Sequence, residues 1–132
     1  MSAAVLIVDD DADIREIIHA LLEDEGYHVE EARNGEEALR ILKKTSHHYV
    51  VLLDLRMPVL DGVGVIAAVA KDKSLRQRHS YILATADNRT LPLSFVQQLT
   101  ALEIPVLSKP FEEHRLFSLV AAAAARAAGT GP

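Results

Sequence analysis

The chain has 132 residues, is 49% hydrophobic and carries a formal net charge of −5, which fits one domain that buries roughly two-thirds of its unfolded surface and leaves no room for a second. An acidic balance without clustered Lys and Arg argues against direct binding to a nucleic-acid backbone. With no cysteine, disulfides, thiol catalysis and Cys-ligated zinc are excluded; no leader pattern and no run near the ~18 apolar residues of a membrane span is found, so the expectation is a cytoplasmic chain without a membrane partner.

In chain order, Ala3 to Val8 is a short apolar run closed by Asp9, Asp10 and Asp11, which reads as a central strand with carboxylates at its tip. Asp11 or Asp13 caps the helix that follows. Its apolar positions Ile14, Ile17, Ile18, Leu21 and Leu22 recur at helical spacing, Arg15, Glu16, Glu23 and Asp24 lie elsewhere around the wheel, and Gly26 supplies the stop. Tyr27 to Ala32 alternates weakly and carries acids, as suits a strand near a sheet edge. Asn34 and Gly35 turn the chain into a helix with Ala38, Leu39, Ile41 and Leu42 on its apolar face and Lys43 and Lys44 at its C-terminal end.

Tyr49 to Pro58 reads YVVLLDLRMP: four apolar residues too few for a helix, then Asp54, then a proline that ends regular structure. Leu60, Asp61 and Gly62 turn into a third helix over Val63 to Ala70, and the polar Lys71 to Ser80 connects it to a fourth strand, Tyr81 to Ala84, ending at Thr85. After a polar loop at Ala86 to Arg89, Thr90 caps a fourth helix with Pro92 in its first turn and Leu93, Val96, Leu99 and Leu102 spaced at i, i+3. Ile104 to Leu107, interrupted by Pro105, makes a short fifth strand at an edge, followed by Ser108, Lys109 and Pro110. The last helix runs from Phe111 through Leu116, Phe117 and Val120 into the alanine tract Ala121 to Ala128. Five strands alternating with five helices specify an α/β fold, a doubly wound five-stranded parallel sheet of flavodoxin-like order 2-1-3-4-5. Residues 1–128 form the domain, and 129–132 a tail or linker.

In such a sheet every strand ends on one edge, where ligands bind. The residues at those ends are Asp9 and Asp10, Asp54, Thr85 and Lys109. Two unit charges ~5 Å apart at an effective dielectric of ~20 repel by roughly 3 kcal/mol, so converging carboxylates call for a proton or a hard divalent cation, and a sparse all-oxygen site suits Mg²⁺. Metal, nucleophilic carboxylate, lysine and hydroxyl are the parts required for in-line phosphoryl transfer to an aspartate.

These motifs, VLIVDDD, LLDLRMPVLDG, ILATA and the Lys109, Pro110, Phe111 triplet, together resemble the receiver domain of two-component response regulators over Val5 to about Arg126. The resemblance implies that Asp54 accepts a phosphoryl group from the phosphohistidine of a sensor histidine kinase or phosphotransfer protein, and that Asp10, Asp54 and the backbone carbonyl of Arg56 coordinate Mg²⁺, with Asp9 acting mainly through a metal-bound water. It also implies that Lys109 pairs with the phosphoryl group, that Thr85 moves to hydrogen-bond it, that the Lys109–Pro110 peptide is cis, and that a downstream protein, or a second copy of the chain, reads the change. The family's usual aromatic residue three positions before the strand-five lysine is replaced here by Val106. The switch is therefore expected to act through the Thr85 to Arg89 loop and the Leu91 to Leu102 helix. Arg56 and Asp87 are expected to pair across the site mouth.

Three rivals share part of the pattern. A small Mg²⁺-dependent phosphohydrolase of haloacid-dehalogenase type also uses an acid-x-acid such as Asp9 and Asp11 after a strand, yet leaves Asp54 idle; a receiver-like interaction module that is never phosphorylated has no need of the complete set. A flavodoxin-like cofactor binder would need backbone donors where this chain has carboxylates. The six histidines, none at an acid-bearing strand end, read as packing or surface residues.

Overall fold

The structure, a computed structural model, describes residues 3–86 and 91–129. Five strands, β1 (Ala4–Val8), β2 (His28–Ala32), β3 (Tyr49–Asp54), β4 (Ser80–Thr85) and β5 (Val106–Ser108), form one parallel sheet of order β2-β1-β3-β4-β5. Six helices lie between and after them among the described residues: α1 (Ala12–Asp24), α2 (Gly35–Lys44), α3 (Gly62–Lys71), α4 (Lys73–Arg78), α5 (Leu93–Ala101) and α6 (Glu113–Gly129).

Strand periodicity sorts the core into two layers, because successive side chains leave opposite faces. Leu6, Val8, Val51, Leu53 and Leu83 pack on one face against α2, α3, α4 and α5, through Leu39, Leu42, Val65, Ile66, Val69, Leu75, Phe95 and Leu99. Val5, Ile7, Val50, Leu52 and Ile82 pack on the other against α1 and α6, through Ile18, Leu22, Leu116, Val120 and Ala123. Both faces of β1, β3 and β4 are thus covered, which is why these strands are continuous apolar runs rather than alternating ones.

Several local expectations are corrected. The fifth expected helix becomes a sixth because Lys71 to Ser80 holds α4: Asp72 closes α3 and also caps α4, its carboxylate accepting from the Leu75 N–H at 3.2 Å. Only Leu75 of that helix is buried, too little apolar signal to register as a period. On α1 the core side is Ile18 and Leu22, with Ile17 61% exposed. On α5 it is Phe95 and Leu99, four apart, rather than the i, i+3 series, and Leu93 faces solvent. β5 starts at Val106, since Pro105 has no N–H to give; its carbonyl still accepts from Leu83 at 2.9 Å. The helix start expected at Phe111 comes at Glu113, and the expected Thr90 cap lies outside the described residues.

Caps match their sequence signals elsewhere. Asp11 accepts from the Asp13 and Ile14 N–H groups, Asn34 from Glu37 and Asp61 from Gly64. Gly26, at φ +93°, ends α1 in the left-handed region that a side chain disfavours.

The amino edge of the sheet is closed by His79, 3% exposed. Its Nδ1 accepts the Tyr49 N–H at 3.0 Å, so Nε2 carries the proton it donates to the Leu42 carbonyl at 3.2 Å. Burial, together with the His48 and Arg78 charges, outweighs the Leu42 bond and lowers the imidazole to about 4. Beside it Tyr81 donates its hydroxyl to the Leu75 carbonyl at 2.9 Å, and Tyr49 donates to Glu30. A cavity of about 450 Å³ opens at this edge, lined by His48, Arg76, Ser80, Tyr81, Ile104 and Arg126 among others.

Candidate functional site

The register of the sheet delivers the chemistry. Val8 of β1 is level with Leu53 of β3, and Asp54 with Ala84 of β4, so the residues one step beyond come together at the carboxyl edge. Asp9, Asp10 and Asp54 each place a carboxylate oxygen within 4.8 Å of the others. Lys109, 100 positions from Asp9, reaches between two of them, its Nζ donating to Asp9 Oδ2 at 3.0 Å and to Asp54 Oδ1 at 3.2 Å. The Lys109 N–H donates to the Thr85 carbonyl at 2.8 Å, which ties the ends of β4 and β5 together. The peptide from Lys109 to Pro110 is cis, as the resemblance implied.

Each acid has a different environment. Asp9 is 4% exposed: its N–H donates to the Ala32 carbonyl, its Oδ1 accepts from the Asp11 N–H at 2.9 Å and its Oδ2 from Lys109. Asp54 is partly buried. Burial pushes its carboxyl above the ordinary carboxylate range and the Asp9 charge adds to this, with Lys109 working in the opposite direction. Asp10 is exposed, and no hydrogen bond engages its carboxylate among the described residues. For Lys109, burial acts to lower the ammonium, but the Asp9 hydrogen bond and the charges of both acids outweigh it and hold it above its usual value.

Among the described residues the carboxylates of this cluster are paired with one cation, the Lys109 ammonium, so that when all are ionised three negative charges face one positive and two remain. A divalent cation would restore neutrality, and the three carboxylate oxygens, all within 4.8 Å of one another, are near enough to gather around one ion. The donor set is all oxygen, as a hard cation requires.

The loop that carries Asp54 is fixed from below by glycine. The Gly62 N–H donates to the Leu55 carbonyl at 2.8 Å, and a Cβ at Gly62 would fall 2.7 Å from the Asp54 carbonyl oxygen. Val59 in the same loop has φ +71°, a strained position for a β-branched residue. Arg56 is exposed. Its expected partner Asp87 belongs to residues 87–90, outside the described residues. Thr85 is 2% exposed at the tip of β4.

A family model described as "Response regulator receiver domain" matches residues 5–121. The chain belongs to the response regulator receiver domain family. This receiver is 33% identical over 124 residues to a CpxR homolog, a transcriptional regulatory protein of Haemophilus influenzae, covering 94% of this chain and 51% of that protein. It is 45% identical over 71 residues to a probable transcriptional regulator, ycf27, of Porphyridium aerugineum, of which it spans 29%. The receiver thus covers about half or less of these curated relatives. Among solved structures it is similar to the chemotaxis protein CheY4 of Vibrio cholerae, at 29% identity and TM-score 0.77 over 93% of this chain and 99% of that one. It is also similar to the response regulator TrrA of Thermotoga maritima in complex with Mg²⁺-BeF, at 30% identity and TM-score 0.75 over 92% and 98%. Membership assigns the domain to two-component signalling and gives no support to the haloacid-dehalogenase alternative. No helix among the described residues is long and apolar enough to cross a membrane.

The sequence placed all the acids and Lys109 at this edge but missed Arg15, which it left on the polar face of α1. Its side chain is only 12% exposed, and its guanidinium donates to the Asp9 carbonyl at 2.7 Å. Nothing in its spacing sets it apart from the other charges on that helix.

Proposed function

We propose that this receiver takes a phosphoryl group onto Asp54 from the phosphohistidine of a sensor histidine kinase or phosphotransfer protein. The observation that carries this is Lys109 spanning Asp9 and Asp54 inside a three-acid cluster. An Asp54 carboxylate oxygen attacks phosphorus, the P–N bond breaks, and its electron pair leaves with the imidazole nitrogen, which takes up a proton. Lys109 sits where it can follow a phosphoryl oxygen without leaving Asp9, and Thr85, at the adjacent strand tip, supplies a hydroxyl to another. Asp10, Asp54 and the Arg56 carbonyl would hold Mg²⁺, with Asp9, whose two oxygens already accept protein hydrogen bonds, acting through water. When bound, the ion supplies Lewis-acid neutralisation of charge on the transferring group.

Because Val106, half-buried in the apolar layer, stands in place of an aromatic ring, the readout is assigned to the stretch from Thr85 to Arg89, whose residues 87–89 lie outside the described residues, and to the segment from Leu91 to Leu102, toward a downstream protein or a second copy of the chain. We assign residues 1–128 to the receiver and 129–132 to a tail or linker, and place it in the cytoplasm with its donor, without direct contact to nucleic acid or membrane. That the similar TrrA was solved in complex with Mg²⁺-BeF supports a divalent cation in this acidic cluster. The test is incubation with acetyl phosphate and Mg²⁺ followed by intact mass. Wild type gains one phosphoryl group and Asp54→Asn none; an unlabelled wild type, or equal labelling of Asp54→Asn, refutes the assignment, the former favouring a module that works without phosphorylation.

A further inference from the structure

Arg15 joins three elements at the rim of the acidic site. Its Nη1 donates to the carbonyl of Asp9, and its Nε donates to Glu31 Oε1 on β2 at 2.9 Å. The other oxygen of Glu31 accepts from His19 Nδ1 at 2.7 Å, one helical turn beyond Arg15. The carboxylate is therefore held from both sides and holds the guanidinium in turn. A planar fork can make both contacts at once, which a single ammonium cannot.

The carbonyl that Arg15 holds belongs to the peptide unit whose N–H is that of Asp10, so fixing it sets the plane that links the two acids. The N–H of Asp9 and both its carboxylate oxygens are already engaged; the Arg15 contact completes the set. Asp10 has no such restraint, for no side chain among the described residues grips its carboxylate, and its direction is inherited from this backbone. We propose that Arg15, braced by Glu31, is a positioning residue for the acidic site: it aims Asp10 toward Asp54, so that affinity for the divalent cation depends on a cation that never touches it. This rests on the metal-binding reading above.

Charge and geometry predict opposite signs. A guanidinium near the acids repels a divalent cation, so by Coulomb's law alone its removal tightens binding. If it positions Asp10, removal weakens binding, and loss of a comparable outer partner of a metal ligand costs about 10–100-fold in affinity. The experiment is calorimetric titration of the full chain with Mg²⁺, for wild type, Arg15→Ala, Arg15→Lys and Glu31→Gln, with the Asp10 amide followed by ¹⁵N NMR before metal is added. Expected is about a ten-fold or greater weakening for Arg15→Ala, nearly as much for Arg15→Lys despite its retained charge, a smaller loss for Glu31→Gln, which still accepts one hydrogen bond, and an Asp10 amide that shifts and exchanges faster in that same order. Binding by Arg15→Ala that equals or exceeds wild type overturns the positioning role alone. A wild type that binds no Mg²⁺ overturns it together with the metal site. Should Arg15→Ala fail to fold, the partly exposed Glu31→Ala carries the same expectation and the same refutation.

Discussion

The two edges of this sheet are built from equally buried strands, yet they treat polar groups in opposite ways. At the amino edge His79 is neutral, both ring nitrogens are bonded, and Tyr81 finds the Leu75 carbonyl. At the carboxyl edge three carboxylates converge, Lys109 bridges only Asp9 and Asp54 among them, and burial raises the Asp54 carboxyl. A buried polar group that is satisfied lends order to the fold, whereas one left with excess charge costs stability until a ligand arrives. The contrast separates what holds the domain together from what it does.

The largest effect falls on the amino edge. His79→Ala strips partners from the Tyr49 N–H and the Leu42 carbonyl, and denaturant unfolding should show a loss of about 3 kcal/mol, as expected for two buried backbone groups left unpaired. Labelling by acetyl phosphate in the folded fraction should persist, because the acids lie at the other end; loss of labelling there would break the comparison. The same residue gives a pH signature. Its folded-state value, near 4, lies below the ordinary 6.5, so the unfolded chain binds the extra proton: the contribution is full above 6.5 and is lost as pH falls toward 4. That is worth about 3 kcal/mol at most. The stability gap between wild type and His79→Ala should narrow over this window, and a gap constant with pH would contradict the buried neutral imidazole.

At the carboxyl edge, Gly62→Ala forces a Cβ toward the Asp54 carbonyl and should destabilise by about 2 kcal/mol, within the range for overpacking, while also slowing labelling, since the loop it displaces carries the acceptor. The smallest effect is a gain. Val59 is 73% exposed and sits at φ +71°, so Val59→Gly relieves backbone strain at little cost in burial and should stabilise by about 0.5–1 kcal/mol after the entropy of glycine is counted. Chemical denaturation of the two variants, run together, checks both signs.

What the sequence revealed follows from the same contrast. The strand order and the gathering of Asp9, Asp10, Asp54 and Lys109 were legible because buried parallel strands write themselves as unbroken apolar runs, and the acid or lysine that ends each run is conspicuous. Contacts made by single polar side chains leave no such period. His79, between α4 and β4, looked like any histidine in a polar connection; α4 buries only Leu75; and Arg15 was indistinguishable from other charges on α1 until its carbonyl contact was seen. Helix faces were half legible: the positions were apolar as expected, but Ile17 and Leu93 point outward, because which side of a helix meets the sheet is decided by packing.

The most direct test of the carboxyl edge as a charged site awaiting a cation is thermal unfolding of wild type and Asp54→Asn at pH 7, each with and without Mg²⁺. Because burial disfavours the ionised Asp54, the amide should melt higher than wild type in the absence of the ion. Saturating Mg²⁺ should raise wild type, by about 2.7 kcal/mol at a hundred-fold excess over the dissociation constant, and leave Asp54→Asn little changed, so that the order inverts. If Asp54→Asn melts lower under both conditions, or if Mg²⁺ shifts both proteins equally, the acids are not held in tension for a cation and the account fails.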